Sequence, residues 1–223
     1  MIKISPSILS CDFAHLAEEI TKTAAAGADY LHIDVMDGDF VPNITLGPPI
    51  IAAIRKYTDI VFDVHLMISD PLRYIDAFVK AGADIITIHE ESCDNVEETL
   101  RYIRSKGVKA SLSIKPATPP ERLRPYLPLL DMILVMSVEP GFGGQAFLPH
   151  TLESMRAARK MIDESGLQIE LEADGGITAD NAGVVAAAGV RVIVAGSAVY
   201  KAKDIAEAIA RIRENAEAAL QAE

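Results

Sequence analysis

At 223 residues the chain is long enough for one large core, and no shift in composition marks a point where a second domain would begin. Half of it is hydrophobic, only 5% is aromatic and Trp is absent, a balance that suits buried parallel strands under Ala-rich helices and sets an α/β expectation. A formal charge of −11 argues against nucleic acid or an anionic membrane as partner, because either polyanion would be repelled.

The N-terminal segment MIKISPSILS has neither the basic start nor the long apolar run of a signal peptide. No apolar run approaches about 18 residues, so no membrane span is expected. Cys11 and Cys93 are not CxxC-spaced and read as separate reduced thiols, which fits a cytoplasmic protein. Apolar runs ending on polar residues predict strands over 2–8, 30–34, 60–66, 85–89, 108–114, 132–136, 169–173 and 192–195. Between them, helices are predicted over 13–26, 71–81, 94–106, 151–165, 179–188 and 205–220, with the poorest helical signals at 48–57 and in the proline-rich PPERLRPYLPLL. Gly27, Gly82 and Gly189 each follow a small-residue helix end just before a strand, the position where Gly closes a helix. Eight strict β–α alternations predict a (β/α)8 TIM barrel with residues 1–223 as one domain. An open doubly wound sheet is the competing architecture. Its dinucleotide-binding form needs a glycine-rich first turn, whereas Ser10, Cys11 and Asp12 follow the first strand and no GxGxxG stands at a strand–helix junction.

In a parallel barrel the loops after the strands converge on one mouth, which draws attention to strand-end polar residues: Ser7, His32, Asp34, His65, His89, Lys115, Ser137, Asp174 and Gly196. Alternation places His32 and Asp34 on one face, with Met36 continuing it at the rim. His65 and Asp174 end other strands. Two imidazoles and two carboxylates from three strands can surround one divalent cation, and a mixed nitrogen/oxygen set suits Zn, Fe(II), Mn or Co. Spacing alone leaves open that each His is a neutral, hydrogen-bonded residue. Gly143-Gly144, Gly175-Gly176 and Gly196-Ser197 follow the sixth, seventh and eighth strands, where backbone N–H groups can approach an anion. A single such pair is usually only a turn, but three on consecutive loops point to phosphate. The segment PGFGGQAF, which carries Gly141 and Phe142, is long enough to close over a bound molecule.

Other residues have plainer readings. Met36, Met67 and Met136 fit rim packing. His89 reads as structural, and His15 and His150 as solvated. Asp63 and Glu172, two residues before His65 and Asp174, should point into the barrel, where Lys3 or Lys115 could neutralise them. A buried structural network is the expectation for this pair, with orientation of His65 as the sharper alternative.

The stretches SPSIL (5–9), HIDVMDGDFVPN (32–43), VHLM (64–67), KPATP (115–119), MSVEPGFGGQAF (136–147), DGGI (174–177) and AGSAVY (195–200) resemble the ribulose-phosphate 3-epimerase family, in order and over nearly the whole chain. Lys115 where many relatives carry Asn, Glu90-Glu91 after His89, and Ala173 for a commoner Val are the departures. The resemblance implies a barrel of the ribulose-phosphate-binding type acting on D-ribulose 5-phosphate and D-xylulose 5-phosphate, in a homo-oligomer. It implies one divalent metal ion per chain on His32, Asp34, His65 and Asp174, with Asp34 and Asp174 also the acid/base pair. It further implies substrate contacts from Ser7, His65, Asp174 and the glycine-bearing loops, and a water-excluding cap of Met36, Met67 and Met136. The chemistry is consistent with that set. Taking hydrogen from carbon 3 leaves charge on two adjacent oxygens, an enediolate that a cation stabilises, and inversion needs a base on one face and an acid on the other. No organic cofactor is called for. Epimerisation of D-allulose 6-phosphate is the nearest alternative, and a catalytically silent phosphosugar-binding protein is another, though mere binding has no use for two acid/base carboxylates. An aldolase or decarboxylase on a related barrel is disfavoured by the missing DxKxxD arrangement.

Overall fold

In the computed structural model, which describes residues 1–221, eight parallel strands form a barrel wrapped by helices. The last two residues of the predicted 1–223 unit lie outside the described residues. The strands are β1 (Lys3–Ser5), β2 (Tyr30–Met36), β3 (Val61–Met67), β4 (Ile85–His89), β5 (Lys109–Ile114), β6 (Met132–Met136), β7 (Glu170–Asp174) and β8 (Val192–Val194). They run in the order β1-β8-β7-β6-β5-β4-β3-β2. The remaining seam closes where the Asp29 N–H donates to Ile4 O at 2.9 Å and the His32 N–H to Pro6 O at 3.1 Å. β1 stops earlier than its apolar run, since Pro6 has no N–H to continue a ladder.

The connections are α1 (Leu16–Ala25), α2 (Pro48–Ile54), α3 (Ile75–Ala81), α4 (Val96–Ser105), α5 (Thr151–Ser165), α6 (Ala182–Ala187), a single turn α7 (Ser197–Tyr200) and α8 (Ile205–Gln221). α1 starts later than predicted because Phe13–His15 forms a 3-10 turn, capped by Asp12, whose carboxylate accepts the Ala14 N–H at 2.9 Å. The crossover between β5 and β6 is a 3-10 helix over Pro120–Leu129, because Pro125 and Pro128 remove donors that an α-helix needs. Gly82 ends α3 at φ 100, a left-handed turn that Gly adopts without steric cost.

Outward-facing strand residues such as Leu31, Ile33, Val64, Leu66, Ile86 and Ile88 are fully buried against the helices and form the main hydrophobic core. The barrel interior is different. Tyr30, Ile85, Met132 and Val192 close its lower end with an apolar plug, while His32, Asp63, His65, Thr87, Ser111, Ser113 and Glu172 fill the layers above and are fully buried.

Neither lysine meets the expectation that it neutralises Asp63 and Glu172. The Lys3 ammonium reaches the lower, wetter end, where it donates to Tyr30 OH at 2.7 Å and pairs with Glu170. Lys115 lies at the mouth, its Nζ 4.0 Å from the centre of the Phe40 ring. Long cationic side chains extend toward solvent instead of paying full desolvation inside a barrel.

Candidate active site

The strand ends open into a cleft at the mouth of the barrel. Its walls carry Ser7, Asp34, Met36, Met67, Met136 and Asp174, together with Gly141, Phe142, Gly143, Gly144, Gly175, Gly176, Gly196 and Ser197. His32 and His65, the other two residues singled out in the sequence, lie directly beneath this floor and reach no solvent.

One donor atom from each of His32, Asp34, His65 and Asp174 falls within 4.8 Å of the others. His32 Nε2 is 3.3 Å from His65 Nδ1, 3.4 Å from Asp34 Oδ1 and 3.9 Å from Asp174 Oδ2, and His65 Nδ1 is 3.3 Å from Asp34 Oδ1. Ligands about 2.0–2.2 Å from a tetrahedral ion sit roughly 3.3–3.6 Å apart, so three of these separations already match such a shell and the fourth needs only a small inward shift. Among the described residues the only ion-pair partners of these two carboxylates are the His32 and His65 rings, and no Lys or Arg pairs with either. The strand register explains the convergence: His32 lies opposite Asp63, Asp34 opposite His65 and Met36 opposite Met67.

The surroundings orient each group. The Ser7 hydroxyl donates to Asp34 Oδ2 at 2.5 Å. Asp63 Oδ2 holds His32 Nδ1 at 2.6 Å, so Asp63 orients His32 and not, as the sharper sequence alternative had it, His65. Glu172 Oε1 lies 3.8 Å from the same nitrogen. Burial would raise the proton affinity of Asp34, but the rings of His32 and His65 hold this carboxyl well below the ordinary range. Asp174 is pushed up to about 6, by burial first and then by Asp34. His32 is driven well above the usual imidazole range, since Asp63 and Asp34 outweigh the effect of burial.

His89 is the residue that the sequence reading leaves aside. Its Nε2 is 2.8 Å from His65 Nε2, its Nδ1 is 3.2 Å from Glu91 Oε2, and its ring is fully buried. Burial brings His89 down to about 4. Glu91 falls to about 2: burial would raise it, but hydrogen bonds from His89, Thr118 and the Lys115 N–H prevail. The pair of side chains two positions apart, His89 and Glu91 at the end of β4, is the one local signal in the sequence for this contact.

The glycine-bearing loops pack against one another. A Cβ on Gly176 would lie 2.3 Å from Phe147 N, and one on Gly175 would lie 2.7 Å from Val138 N, so both positions are glycine partly because another backbone occupies the space. A Cβ on Gly144 would meet nothing within 4 Å. Met36 and Met67 pack with Val41 beside the cleft, and Met136 lies with Leu134 and Val138. Among the described residues no helix is long and apolar enough to cross a membrane.

Residues 3–200 match the model of the ribulose-phosphate 3 epimerase family. The chain is 52% identical over 214 residues to a ribulose-phosphate 3-epimerase of Synechocystis sp., covering 95% of this chain and 93% of that one. It is 49% identical over 214 residues to a ribulose-phosphate 3-epimerase of Bacillus subtilis, covering 96% and 99%. Among solved structures, 3-hexulose-6-phosphate synthase from Salmonella typhimurium superposes with a TM-score of 0.70 at 21% identity, over 98% of this chain and 100% of that one, a likeness of fold alone.

Proposed function

The chain belongs to the ribulose-phosphate 3-epimerase family, and from that premise we propose that it inverts carbon 3 of a phosphorylated ketose, D-ribulose 5-phosphate to D-xylulose 5-phosphate and back, using one divalent metal ion. The observation that carries the reading is the set of four donors, two imidazoles and two carboxylates, at the floor of a cleft walled by glycine loops. His32 Nε2, Asp34 Oδ1, His65 Nδ1 and Asp174 Oδ2 would hold the ion. When bound, it supplies Lewis-acid charge for the enediolate oxygens that develop when carbon 3 loses its proton.

The protein's own groups do the rest. Asp34 and Asp174 differ widely in affinity for a proton, which equips one carboxyl to take hydrogen from carbon 3 while the other delivers a proton to the opposite face. Their roles exchange in the reverse direction. Ser7 fixes the Asp34 carboxylate and is close enough to the cleft to touch substrate. Met36, Met67 and Met136 present polarizable, nearly solvent-free side chains beside the reacting centre, where exclusion of water protects the enediolate from loss of phosphate. Backbone N–H groups at Gly143, Gly144, Gly175, Gly176, Gly196 and Ser197 are assigned to the phosphate, with Gly141 and Phe142 in the covering loop, which suits an acidic protein that cannot offer a broad basic surface.

The same reading takes residues 1–223 as one domain of a reduced, cytoplasmic homo-oligomer with no organic cofactor. The separate free thiols Cys11 and Cys93 support the reducing compartment, while the oligomer rests on the family resemblance. A coupled assay of ribulose 5-phosphate and xylulose 5-phosphate, run on chelator-stripped protein before and after refilling with Zn, Co, Mn or Fe(II), tests the proposal. Turnover should vanish and return with metal. Full turnover in stripped protein would remove the ion from the reaction, faster turnover of D-allulose 6-phosphate would reassign the substrate, and binding without turnover would leave a silent binding protein.

A further inference from the structure

The His65 ring has two nitrogens with two different neighbours. Nδ1 faces His32, Asp34 and the proposed ion, whereas Nε2 faces His89 Nε2 at 2.8 Å. Only one proton can lie between the two Nε2 atoms, so the direction of that hydrogen bond decides whether Nδ1 of a neutral His65 has a free lone pair. The direction is set farther out. His89 Nδ1 lies 3.2 Å from Glu91 Oε2, and Glu91 Oε1 accepts the Lys115 N–H at 2.8 Å and the Thr118 hydroxyl. A carboxylate that receives every one of its partners can only accept, so His89 must donate from Nδ1. A neutral His89 then offers a lone pair at Nε2, and His65 must donate into it. The two rings are nearly parallel, 27° apart with centres 5.0 Å apart, and Phe40 packs on His89 with ring centres 5.0 Å apart, so little freedom remains to reverse the chain by rotation.

We propose that Glu91 and His89 are positioning residues for the metal site: Glu91 sets the proton on His89 Nδ1, His89 thereby holds the proton of His65 on Nε2, and Nδ1 of His65 is left bare toward His32, Asp34 and Asp174. This inference rests on the metal-site reading, and it assigns to β4 a role that the four donors on β2, β3 and β7 do not include. The arrangement parallels Asp63 on His32, except that the carboxylate acts through an intervening imidazole. Such outer partners keep a ligand in the correct tautomer and commonly change metal affinity about 10–100-fold when removed.

Glu91→Gln tests this, because it retains size and the two acceptor contacts of Oε1 while turning an N–H toward His89 Nδ1. His89 must then accept at Nδ1 and donate from Nε2, which transfers the His65 proton to Nδ1. Two measurements on the full chain read the outcome. Long-range ¹⁵N–¹H correlation of the metal-free protein, above the pH at which imidazoles are charged, should show the His65 proton on Nε2 in the native protein and on Nδ1 in Glu91→Gln. Competition of Co²⁺ against a chelator should show about 10–100-fold weaker binding in Glu91→Gln, with smaller losses in Glu91→Asp, which remains an acceptor. A native His65 protonated on Nδ1, or Glu91→Gln binding Co²⁺ within twofold of the native protein, overturns the proposal. If the variant does not fold, the native tautomer still decides. A native protein that shows the Nε2 proton yet binds no Co²⁺ would sink the metal-site reading and the positioning role with it, while leaving the direction of the hydrogen-bond chain intact.

Discussion

His32 and Asp63 meet at 2.6 Å, ring Nδ1 to carboxylate Oδ2, with neither side chain exposed. The contact keeps a proton on Nδ1 and aims Nε2 at Asp34 and Asp174. Together with Asp34 it also drives the ring well above the usual imidazole range, against the pull of burial, which favours a second proton on the metal-free ring. An ion held as proposed would have to displace that proton from Nε2. Loading Zn²⁺ or Co²⁺ into stripped protein at pH 7.5 should therefore release about one proton per ion, and affinity should fall about tenfold per pH unit as the medium is acidified. Below about 6 the slope should steepen as protons also compete for Asp174. Calorimetry in two buffers of different ionisation enthalpy reads the proton count, and heats that do not depend on the buffer would contradict it.

Glu172 sits beside Asp63, and neither of its oxygens has a hydrogen-bond partner among the described residues. Burial first, and Asp63 next, raise its carboxyl well above the ordinary range. An unfolded chain gives up this proton near about 4.3, whereas the folded one retains it. The group's contribution to stability is thus complete below the unfolded value and declines as pH rises toward the folded one. Glu172→Gln removes that decline and points an amide N–H toward Asp63 Oδ1, another atom without a donor. In metal-free protein its melting temperature relative to the native chain should rise between pH 5 and pH 8, by about 2–4 °C for each kcal/mol recovered. A difference that is flat or shrinks with pH would show that Glu172 ionises freely.

Gly176 and Gly144 separate packing from open approach in the loops assigned above to phosphate. A methyl on Gly176 drives into Phe147 N, whereas one on Gly144 enters empty space and strains only a backbone at φ 75. Gly176→Ala should raise KM for the phosphorylated ketose by about tenfold or more, which is about 1.4 kcal/mol, and Gly144→Ala by less. Both should retain metal, because the four donors lie on strands. The check is steady-state kinetics with metal analysis, using unphosphorylated D-ribulose as the control. An unchanged KM in folded, metal-loaded Gly176→Ala would detach these loops from phosphate.

Much of this architecture is legible along the chain, because each strand is a short apolar run stopped by a polar residue and Gly marks the preceding helix end, as at Gly82 before β4. The 3-10 crossover at Pro120–Leu129 is less so, since its prolines announce an interruption without saying what replaces the helix. The site residues project from strand ends and share faces by simple alternation, which brings His32 and Asp34 together on paper. Alternation within one strand cannot say which neighbour a side chain meets. Asp63 stands two residues from His65 on β3 yet touches His32, because parallel register sets Asp63 opposite His32. His89 reads as merely structural in the sequence for the same reason: its partner His65 lies on the adjacent strand. Register is a property of paired strands, and a single strand's periodicity does not contain it.

Asp34 and Asp174 invite the most discriminating test, because under the proposed two-base mechanism chemistry on opposite faces of carbon 3 would give each carboxyl a different task in each direction. Their environments already differ, with Asp34 held ionised by His32 and His65 despite its burial, and Asp174 raised to about 6 by burial and by Asp34. Asp34→Asn and Asp174→Asn should each reduce epimerisation by at least about 10²–10⁴-fold, the usual worth of a positioned acid or base. In heavy water, however, each metal-loaded variant should still wash solvent deuterium into carbon 3 of one epimer, the one whose base remains, and the labelled epimer should differ between the two. Both residues are also proposed ligands, so metal content must be measured alongside, or a lost cation would pass for a lost base. Near-native epimerisation in either metal-loaded variant would overturn the two-base mechanism, and deuterium entering the same epimer in both would show that the two carboxyls do not divide the faces between them.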